Sequence, residues 1–306
     1  MRGATIDLRP TNRLHYVAIA ALMAASIGVQ LVRDRGWAPF VPPQPTLWLQ
    51  SGSVADRVFL GYKNLVADVY WMRAVVYYGG SRRHSAAQQE SGAAPSANFD
   101  QLDTLLNLVT SLDPHFKVAY RFGAIFLADT YPAGPGRPDL AIALLQRGIE
   151  RDAARWEYME DIGFVYYWWI KDFQKAAEWF KRAGEQPDAP SWLAPLAATT
   201  LAQGGHREGS RLLWMQLANS DLDWVRRDAA LRLQQLDAMD TISQLTPVLR
   251  RFVERERRYP SSWEELVEAE HLPRVPTDPT GVRFYFDPKV GYIDVSRKST
   301  LWPLPK

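Results

Sequence analysis

The chain has 306 residues, a length that accommodates two domains or one elongated array of repeats. Hydrophobic residues make up 47% of it, including 12 Trp, 13 Tyr and 12 Phe, so a large apolar core can form. The net charge of +2 gives no sign of the basic surface that nucleic-acid binding requires, and the absence of cysteine excludes thiol catalysis, thiolate metal sites and disulfides.

An apolar segment near the N-terminus predicts a membrane anchor. Residues 16–32 read YVAIAALMAASIGVQLV, a length at the short end of what spans a bilayer, and arginines flank them on both sides. A cleaved signal peptide is the alternative, with Ala24-Ala25-Ser26 as its cleavage site. The segment stays apolar beyond that site, which favours an uncleaved anchor. We therefore predict an N-terminal tail and a transmembrane helix over 1–35.

The segment after this anchor predicts a linker, and the charges around the anchor predict its orientation. Residues 36–53 begin GWAPFVPPQP, and so many prolines cannot continue a helix. One more arginine precedes the apolar segment than follows it, which favours a cytoplasmic N-terminus. The rest of the chain would then lie outside the inner membrane of a bacterium, in the periplasm.

Helical periodicity begins near residue 54. Apolar residues recur there at helical intervals: Val58, Leu65, Val69, Met72 and Val76. A second helical pattern runs over 100–112, and the polar stretch 82–97 between them has no periodicity, which predicts a mobile surface loop. Residues 54–114 therefore predict a helical hairpin with a long insertion.

The next two helical pairs share one set of offsets. In both, a glycine and an aromatic three positions apart mark the first helix, and three residues at i, i+4 and i+7 mark the second. The earlier pair carries Gly123, Phe126, Ala141, Leu145 and Gly148. The later pair, over 156–187, carries Gly163, Tyr166, Ala176, Phe180 and Ala183. Amphipathic helices with these patterns pack antiparallel, with small residues at their contact.

These offsets resemble the tetratricopeptide (TPR) repeat, whose consensus places a small residue, an aromatic, Ala, Phe, Ala and a closing Pro at such positions. A fourth pair over 191–219 fits the same offsets, and a further helix over 222–236 predicts a cap for the array. The resemblance implies that residues 54–236 form a TPR-like α-solenoid, so that the fold class is mainly α. It also implies that the first helices line a groove that binds proteins.

From Asp237 to the C-terminus the pattern changes to a small α+β module, residues 237–306. The predicted elements are a charged helix over 240–257, a short helix over 262–270 and two β-hairpin strands over 282–286 and 292–295. Ser261 and Glu264 have capping-box spacing ahead of the short helix.

The same module carries a second set of recognisable residues. They are Tyr259-Pro260, Leu272, Pro276, Asp278-Pro279 and Gly281, followed by an aromatic strand. This pattern resembles the C-terminal portion of type II secretion pseudopilins. Thr280 departs from it, because an aromatic usually follows Asp-Pro, and the N-terminus lacks the pilin processing site. The resemblance implies an association with pilus or secretion machinery, while the chain itself is not expected to be a pilin.

The polar residues predict no catalytic, cofactor or metal site. The histidines are scattered, with no second ligand at i+3 or i+4 on a shared face. The turn Gly134-Pro135-Gly136 lacks the Lys-Ser/Thr of a phosphate loop, and paired carboxylates lie at helix starts, where the helix dipole accounts for them. We therefore predict a protein that is not an enzyme and holds no cofactor.

Two groups of residues are the candidate partner-binding sites. The groove implied by the TPR resemblance would be lined by Tyr120, Tyr166, Tyr167 and Lys171. The first helix adds a polar and aromatic cluster of Asp68, Tyr70, Trp71 and Arg73. For the aromatic run 166–169 core packing is favoured over a ligand platform, and for the cluster a helix interface with a satisfied ion pair is an equal alternative.

Together these patterns predict a membrane-anchored TPR scaffold that mediates protein–protein interaction in the bacterial cell envelope. The pseudopilin resemblance makes a type IV pilus or secretion system the expected context, with envelope proteins as partners. The alternative is an envelope enzyme, or a protein that binds a small molecule such as a glycan or lipid in its aromatic groove.

Overall fold

The computed structural model describes residues 10–36, 62–94 and 96–305, and it gives side chains from residue 15 to residue 32 within the first range. The chain divides into two compact units, Met1–Leu49 and Gln50–Lys306. The predicted linker, 36–53, lies outside the described residues apart from Gly36. Val58, the first residue of the predicted periodic pattern, also lies outside them.

The described part of the first unit is a single helix, α1, which spans Pro10–Gly36. Its segment His15–Val32 is long and apolar enough to cross a membrane, and the side chains of that segment are exposed within the unit. An exposed helix that is almost wholly apolar suits a lipid environment. The bilayer core surrounds its side chains with apolar groups, and the helix forms its backbone hydrogen bonds internally.

The second unit consists mainly of helices that follow one another closely along the chain. They are α2 (Lys63–Glu90), α3 (Leu102–Leu112), α4 (Lys117–Ala128), α5 (Pro138–Arg151), α6 (Trp156–Val165), α7 (Phe173–Gly184), α8 (Leu193–Gln203), α9 (Arg207–Leu217), α10 (Asp223–Glu256) and α11 (Trp263–Ala269). The two strands, β1 (Tyr285–Asp287) and β2 (Tyr292–Asp294), pair antiparallel with Phe286 opposite Ile293. The predicted mainly α fold with a small C-terminal hairpin is confirmed.

The predicted pairs each pack together, α2 with α3, α4 with α5, α6 with α7, and α8 with α9, and α7 packs at least as extensively on α8 of the next pair. Glycines lie where the sequence places small residues. A β-carbon on Gly163 would lie 2.5 Å from two ring atoms of Phe180, and one on Gly123 would lie 2.8 Å from Leu106. Gly148 is equally confined, at 2.8 Å from the ring of Tyr158. At these crossings only glycine lets the backbones approach so closely.

Helices at the same place in neighbouring pairs are also joined. Arg121 of α4 donates to Asp161 of α6, 40 residues later along the chain. Arg147 of α5 likewise donates to Asn107 of α3, again at a separation of 40 residues. The first helices α4 and α6 therefore contact each other, and so do the second helices α3 and α5, each through a residue pair 40 positions apart.

The predicted loop over 82–97 is wrong for most of its length, because α2 continues as a helix to Glu90. Ser85 is buried on this extension. The chain that follows α2 turns back and contacts the helix, where Ser81 Oγ donates to the Asn98 carbonyl at 2.7 Å. Gln88 Oε1 accepts from the Ser96 amide at 2.7 Å. These polar contacts stabilise the last part of α2, which has no apolar periodicity from which a helix could be predicted.

A second correction concerns the boundary between the helical pairs and the C-terminal module. The sequence predicts separate helices over 222–236 and 240–257, but α10 runs through both as one helix of 34 residues. Its first half buries Ala229 and Leu236 against α8 and α9, and its second half contributes Leu249 and Phe252 to the core of the module. The predicted division at 236 and 237 falls within this continuous helix.

The short helix α11 confirms the predicted 262–270 segment but begins one residue later than the capping-box spacing indicates. The side chain of Ser262, not Ser261, caps it by accepting from the Glu265 amide. Glu265 in turn accepts from the Ser261 amide at 2.6 Å. The module is closed by Trp263, whose indole Nε1 donates to the Phe284 carbonyl at 2.9 Å.

A candidate protein-docking surface on the first helices

The candidate surface is built on α4 and α6, which ion pairs hold side by side. Arg121 of α4 donates to both carboxylate oxygens of Asp161, at 2.6 and 2.8 Å, and to Glu160 at 3.3 Å. Lys117, one turn earlier on α4, forms an ion pair with Glu157. Such a bidentate arginine contact fixes relative position as well as adding charge-assisted hydrogen bonds.

Three carboxylates on α6 face Lys117 and Arg121, and burial and these cations together determine how each carboxylate titrates. Burial, with a further contribution from neighbouring Asp161, raises the pKa of Glu160 from 4.5 to about 7, although Arg121 opposes the shift. Burial also raises the pKa of Asp161. Burial acts to raise the pKa of Glu157 as well, but the hydrogen bond from Lys117 and other contacts lower it overall. Glu160 can therefore take up a proton near neutral pH, which lowers the negative charge of the three carboxylates.

The helix α4 is apolar on nearly all sides, and one of its apolar stripes is not covered. The side chains of Val118, Phe122 and Ile125 are 44%, 52% and 44% exposed. They follow the spacing i, i+4, i+7 and so form one line along the helix. The remaining apolar side chains of α4, among them Ala124 and Leu127, are buried, except Phe126, which is half-buried. A helix that is hydrophobic all round is normally buried all round, so this stripe is unusual for a protein surface.

The aromatic run after α6 forms one turn of π-helix, Tyr166–Ile170, which ends at Lys171 with a left-handed backbone (φ 62°). Trp168 is more than half exposed, and the Lys171 ammonium lies 5.4 Å from the centre of its ring. Tyr167 is anchored instead, since its hydroxyl donates to Gln203 of α8 at 2.9 Å. π-Helical turns within α-helices are frequent at functional sites, so the turn adds a second exposed aromatic feature to the same row of first helices.

The structure separates the residues predicted for the groove. Tyr120 is only 2% exposed and packs against Tyr158 with ring centres 5.1 Å apart, so it is a core residue. Tyr166 and Tyr167 are half-buried, and Lys175 lies over the ring of Tyr166 at 5.6 Å. Among the four, only Lys171 is an exposed side chain.

The predicted cluster on the first helix of the repeats is also divided. Tyr70 is buried, and Trp71 is half-buried between Phe116 and Phe126 of the next pair, with ring centres 5.9 and 6.0 Å away. Asp68 is exposed, and the guanidinium of Arg73 lies 5.4 Å from the ring centre of Tyr70. Within the described residues, Asp68 and Arg73 form no ion pair with each other or with another group.

Sequence patterns do not single out the exposed stripe on α4, because most other positions of this helix are apolar as well. A signal is nevertheless present, since Val118, Phe122 and Ile125 form a second apolar line beside the buried one. A helix with more apolar residues than one interface can cover indicates a second contact.

An open cleft elsewhere offers a different kind of site. It measures about 870 Å³ and lies between α7, α8 and α9, where charged and polar side chains such as Glu178, Lys181 and Arg207 line it. None of the residues predicted for partner binding lines this cleft. Among the described residues, no three histidine or carboxylate side chains converge as a metal site would require.

Comparisons with protein-family models, with curated proteins and with solved structures gave no match. Function is therefore inferred from the geometry of the chain itself.

Proposed function

We propose that this protein is a membrane-anchored scaffold that binds another protein through the first helices of a TPR-like α-solenoid. The observation that carries the proposal is the uncovered stripe of Val118, Phe122 and Ile125 on α4. Support for the solenoid comes from two contacts between residues 40 positions apart, one joining the first helices α4 and α6 and one joining the second helices α3 and α5. A solenoid of this kind presents its first helices as one extended surface.

The chemistry of the surface favours a partner that supplies an apolar anchor. Phe122 is the largest exposed side chain of the stripe, and buried aromatic anchors dominate the energetics of protein interfaces. Val118 and Ile125 continue the exposed apolar line on either side of Phe122, so the matching face of the partner should be apolar along its length as well. An amphipathic helix or extended segment with one or two large apolar residues fits both requirements.

The anchor is the second part of the proposal. The apolar segment of α1 supports attachment of the chain to a membrane, where a tether raises the local concentration of the docking surface for membrane-bound partners. The arginine distribution around that segment supports a periplasmic location for the helical pairs. The pseudopilin resemblance of the C-terminal module supports pilus or secretion machinery as the context.

A small-molecule function, for a glycan or lipid, is the alternative in another class. The observation in its favour is Trp168, which presents an exposed ring beside Lys171 as carbohydrate-binding and lipid-headgroup sites often do. The ring is open on one side and the turn beside it is not a deep pocket lined by apolar groups, which is the usual form of a small-ligand site.

The proposal is tested by pull-down from native membranes with a C-terminally tagged, full-length chain. Proteins recovered with the wild type should be lost with Phe122→Asp and with Ile125→Asp. Val290→Asp, at an exposed valine of the hairpin turn, is the matched control and should recover them. Circular dichroism of each variant shows whether it is folded. Unchanged recovery by both α4 variants would refute docking at this stripe, and a thermal shift with glycans or lipids that Trp168→Ala removes would favour the alternative.

A further inference from the structure

The helix α2 has two apolar faces, and only one of them packs on other residues that the structure describes. The packed face carries Ala67, Tyr70, Ala74, Tyr78 and Ser85, all of them buried. The opposite face carries Tyr62, Leu65, Val69, Met72 and Val76, each of them more than half exposed. We call this second set the α2 seam. Contiguous apolar stripes of this length on a protein surface mark interaction sites.

The spacing of the α2 seam is the spacing of a coiled coil. Its members are alternately three and four residues apart, which places them at successive a and d positions of a heptad repeat. Two valines, Val69 and Val76, stand at a positions, and Leu65 stands at a d position. A β-branched residue at a with leucine at d favours a parallel pair of helices.

Within the described residues the seam starts at Tyr62, beside the first turn of α2. Gly79 ends it, because glycine leaves the next d position without a side chain, and Arg83 then takes the next a position. The apolar line described by the structure is therefore about two heptads long, which is too short for strong association of free chains in solution.

The charged residues beside the α2 seam indicate which partner covers it. Asp68 stands at a g position and Arg73 at the following e position, five residues later. In a parallel pair the g residue of one helix faces the e residue of the next heptad on its partner. Two-fold symmetry would thus bring Asp68 of each copy against Arg73 of the other and form the contact twice. Among the described residues neither side chain has an ion pair within its own chain, so both are available for this contact.

We propose that the α2 seam pairs with the same seam of a second copy of this chain, as a short parallel two-stranded coiled coil. A lipid surface fits less well, because interfacial helices present a broad apolar face bordered by cations, whereas Asp68 places a carboxylate beside this narrow one. Copies anchored through α1 in one membrane would share one orientation, as a parallel pair requires. Such anchoring would also supply the local concentration that a short seam needs.

The absence of native cysteine makes disulfide crosslinking a direct test with the full-length chain in native membranes. In a parallel pair, equivalent a positions face each other, so Val69→Cys and Val76→Cys should each give a covalent dimer under mild oxidation. Asn64→Cys is the matched control, since it is exposed on the same helix but lies off the seam. We expect several-fold more dimer from each seam variant than from this control.

Charge exchange supplies a second readout that does not depend on apolar packing. In the Val69→Cys background, Asp68→Arg should reduce the dimer several-fold, because two guanidinium groups would then face each other at both contacts. Adding Arg73→Asp should restore the yield, because the ion pair is then present in reversed order. Equal yields from Val69→Cys and Asn64→Cys, or a failure of the exchange to restore the dimer, would overturn the proposal. The α4 stripe takes no part in this contact, so that result would leave the proposed docking function standing.

Discussion

Replacing Gly163 by alanine tests the packing of α6 on α7 more directly than any other single change. The added β-carbon would lie 2.5 Å from two ring atoms of Phe180, far inside van der Waals contact. Phe180 is fully buried, so the ring has no open space to move into. Either the two helices must separate or the ring must adopt a less favourable rotamer. Overpacking of this kind costs about 1–3 kcal/mol, and the severity of the contact indicates the upper end.

The same substitution also brings a gain, because alanine is preferred over glycine in a helix by about 1 kcal/mol. The net loss of unfolding free energy should therefore be about 2 kcal/mol. Gly80→Ala is the matched control: Gly80 lies inside α2, and a β-carbon there would meet nothing within 4 Å. This variant should keep the helical gain alone and be more stable than the wild type by about 1 kcal/mol.

Urea denaturation followed by circular dichroism, with the full-length chain in detergent, measures both changes under identical conditions. Gly163→Ala should lower the transition midpoint and Gly80→Ala should raise it slightly, which separates the two variants by about 3 kcal/mol. If Gly163→Ala were as stable as Gly80→Ala, the close crossing at Gly163 would not exist, and the inference that small residues mark the helix contacts would fail with it.

Two further predictions concern single polar groups. The pKa of Glu160 is raised from 4.5 to about 7 in the folded chain. Between these two values the folded state holds a proton that the unfolded state has released. Glu160 should therefore make the stability of the fold decrease as the pH rises from about 4.5 to 7. Glu160→Gln should remove that fall, so its stability relative to the wild type should be greatest above pH 7 in denaturation midpoints, with Glu150→Gln, at an exposed site of α5, as the matched control. Trp263→Phe should destabilise the module by about 1–3 kcal/mol, because the buried Phe284 carbonyl loses its donor, while Trp224→Phe, at a partly exposed site, should cost less. A Trp263→Phe variant as stable as Trp224→Phe would show that the indole hydrogen bond is dispensable.

The helical pairs could be predicted from sequence because their contacts are local and chemically distinctive. Gly123 and Gly163 stand at fixed offsets because any side chain there would collide with the facing helix. The π-helical turn at Tyr166–Ile170 could not be predicted in the same way. Its aromatic residues are compatible with an ordinary helix, and the left-handed Lys171 that ends it is a residue type with no preference for that backbone.

Periodicity alone could not assign the faces of α2. The apolar line that includes Val69 and Met72 is the stronger signal of a helix, and an apolar line is ordinarily the buried one. The structure buries the other face, where Ala67 and Ala74 allow close approach and Tyr78 stacks on Phe126 with ring centres 4.2 Å apart. Small and aromatic residues hold the helix to its own chain, and the aliphatic line remains free.

The candidate site does not follow from sequence for a related reason. Tyr120 is predicted in the groove because aromatic residues commonly bind ligands, yet it fills the space beside Gly148, whose missing side chain makes room for the ring. Phe122, two positions later, lies on the exposed side of the same helix. In a helix whose faces are all apolar, only the position of the neighbouring helices decides which aromatic residue is exposed.

The two ends of the helical pairs differ in a way that bears on both proposals. At the C-terminal end, α10 continues into the module, where Phe252 and Trp263 close a core of their own chain. At the other end, α2 presents the α2 seam, although the terminal helix of a stable helical array ordinarily has a polar outer face. An apolar end that the described residues do not cover favours a partner, and Asp68 and Arg73 beside the seam are complementary to the same two residues of a second copy. Because α4 packs on α2 through the Trp71 and Phe126 contact, such a dimer would carry two docking stripes, one on each copy. A partner with two apolar anchors, or two copies of a partner already assembled, would then bind more tightly than either stripe alone allows.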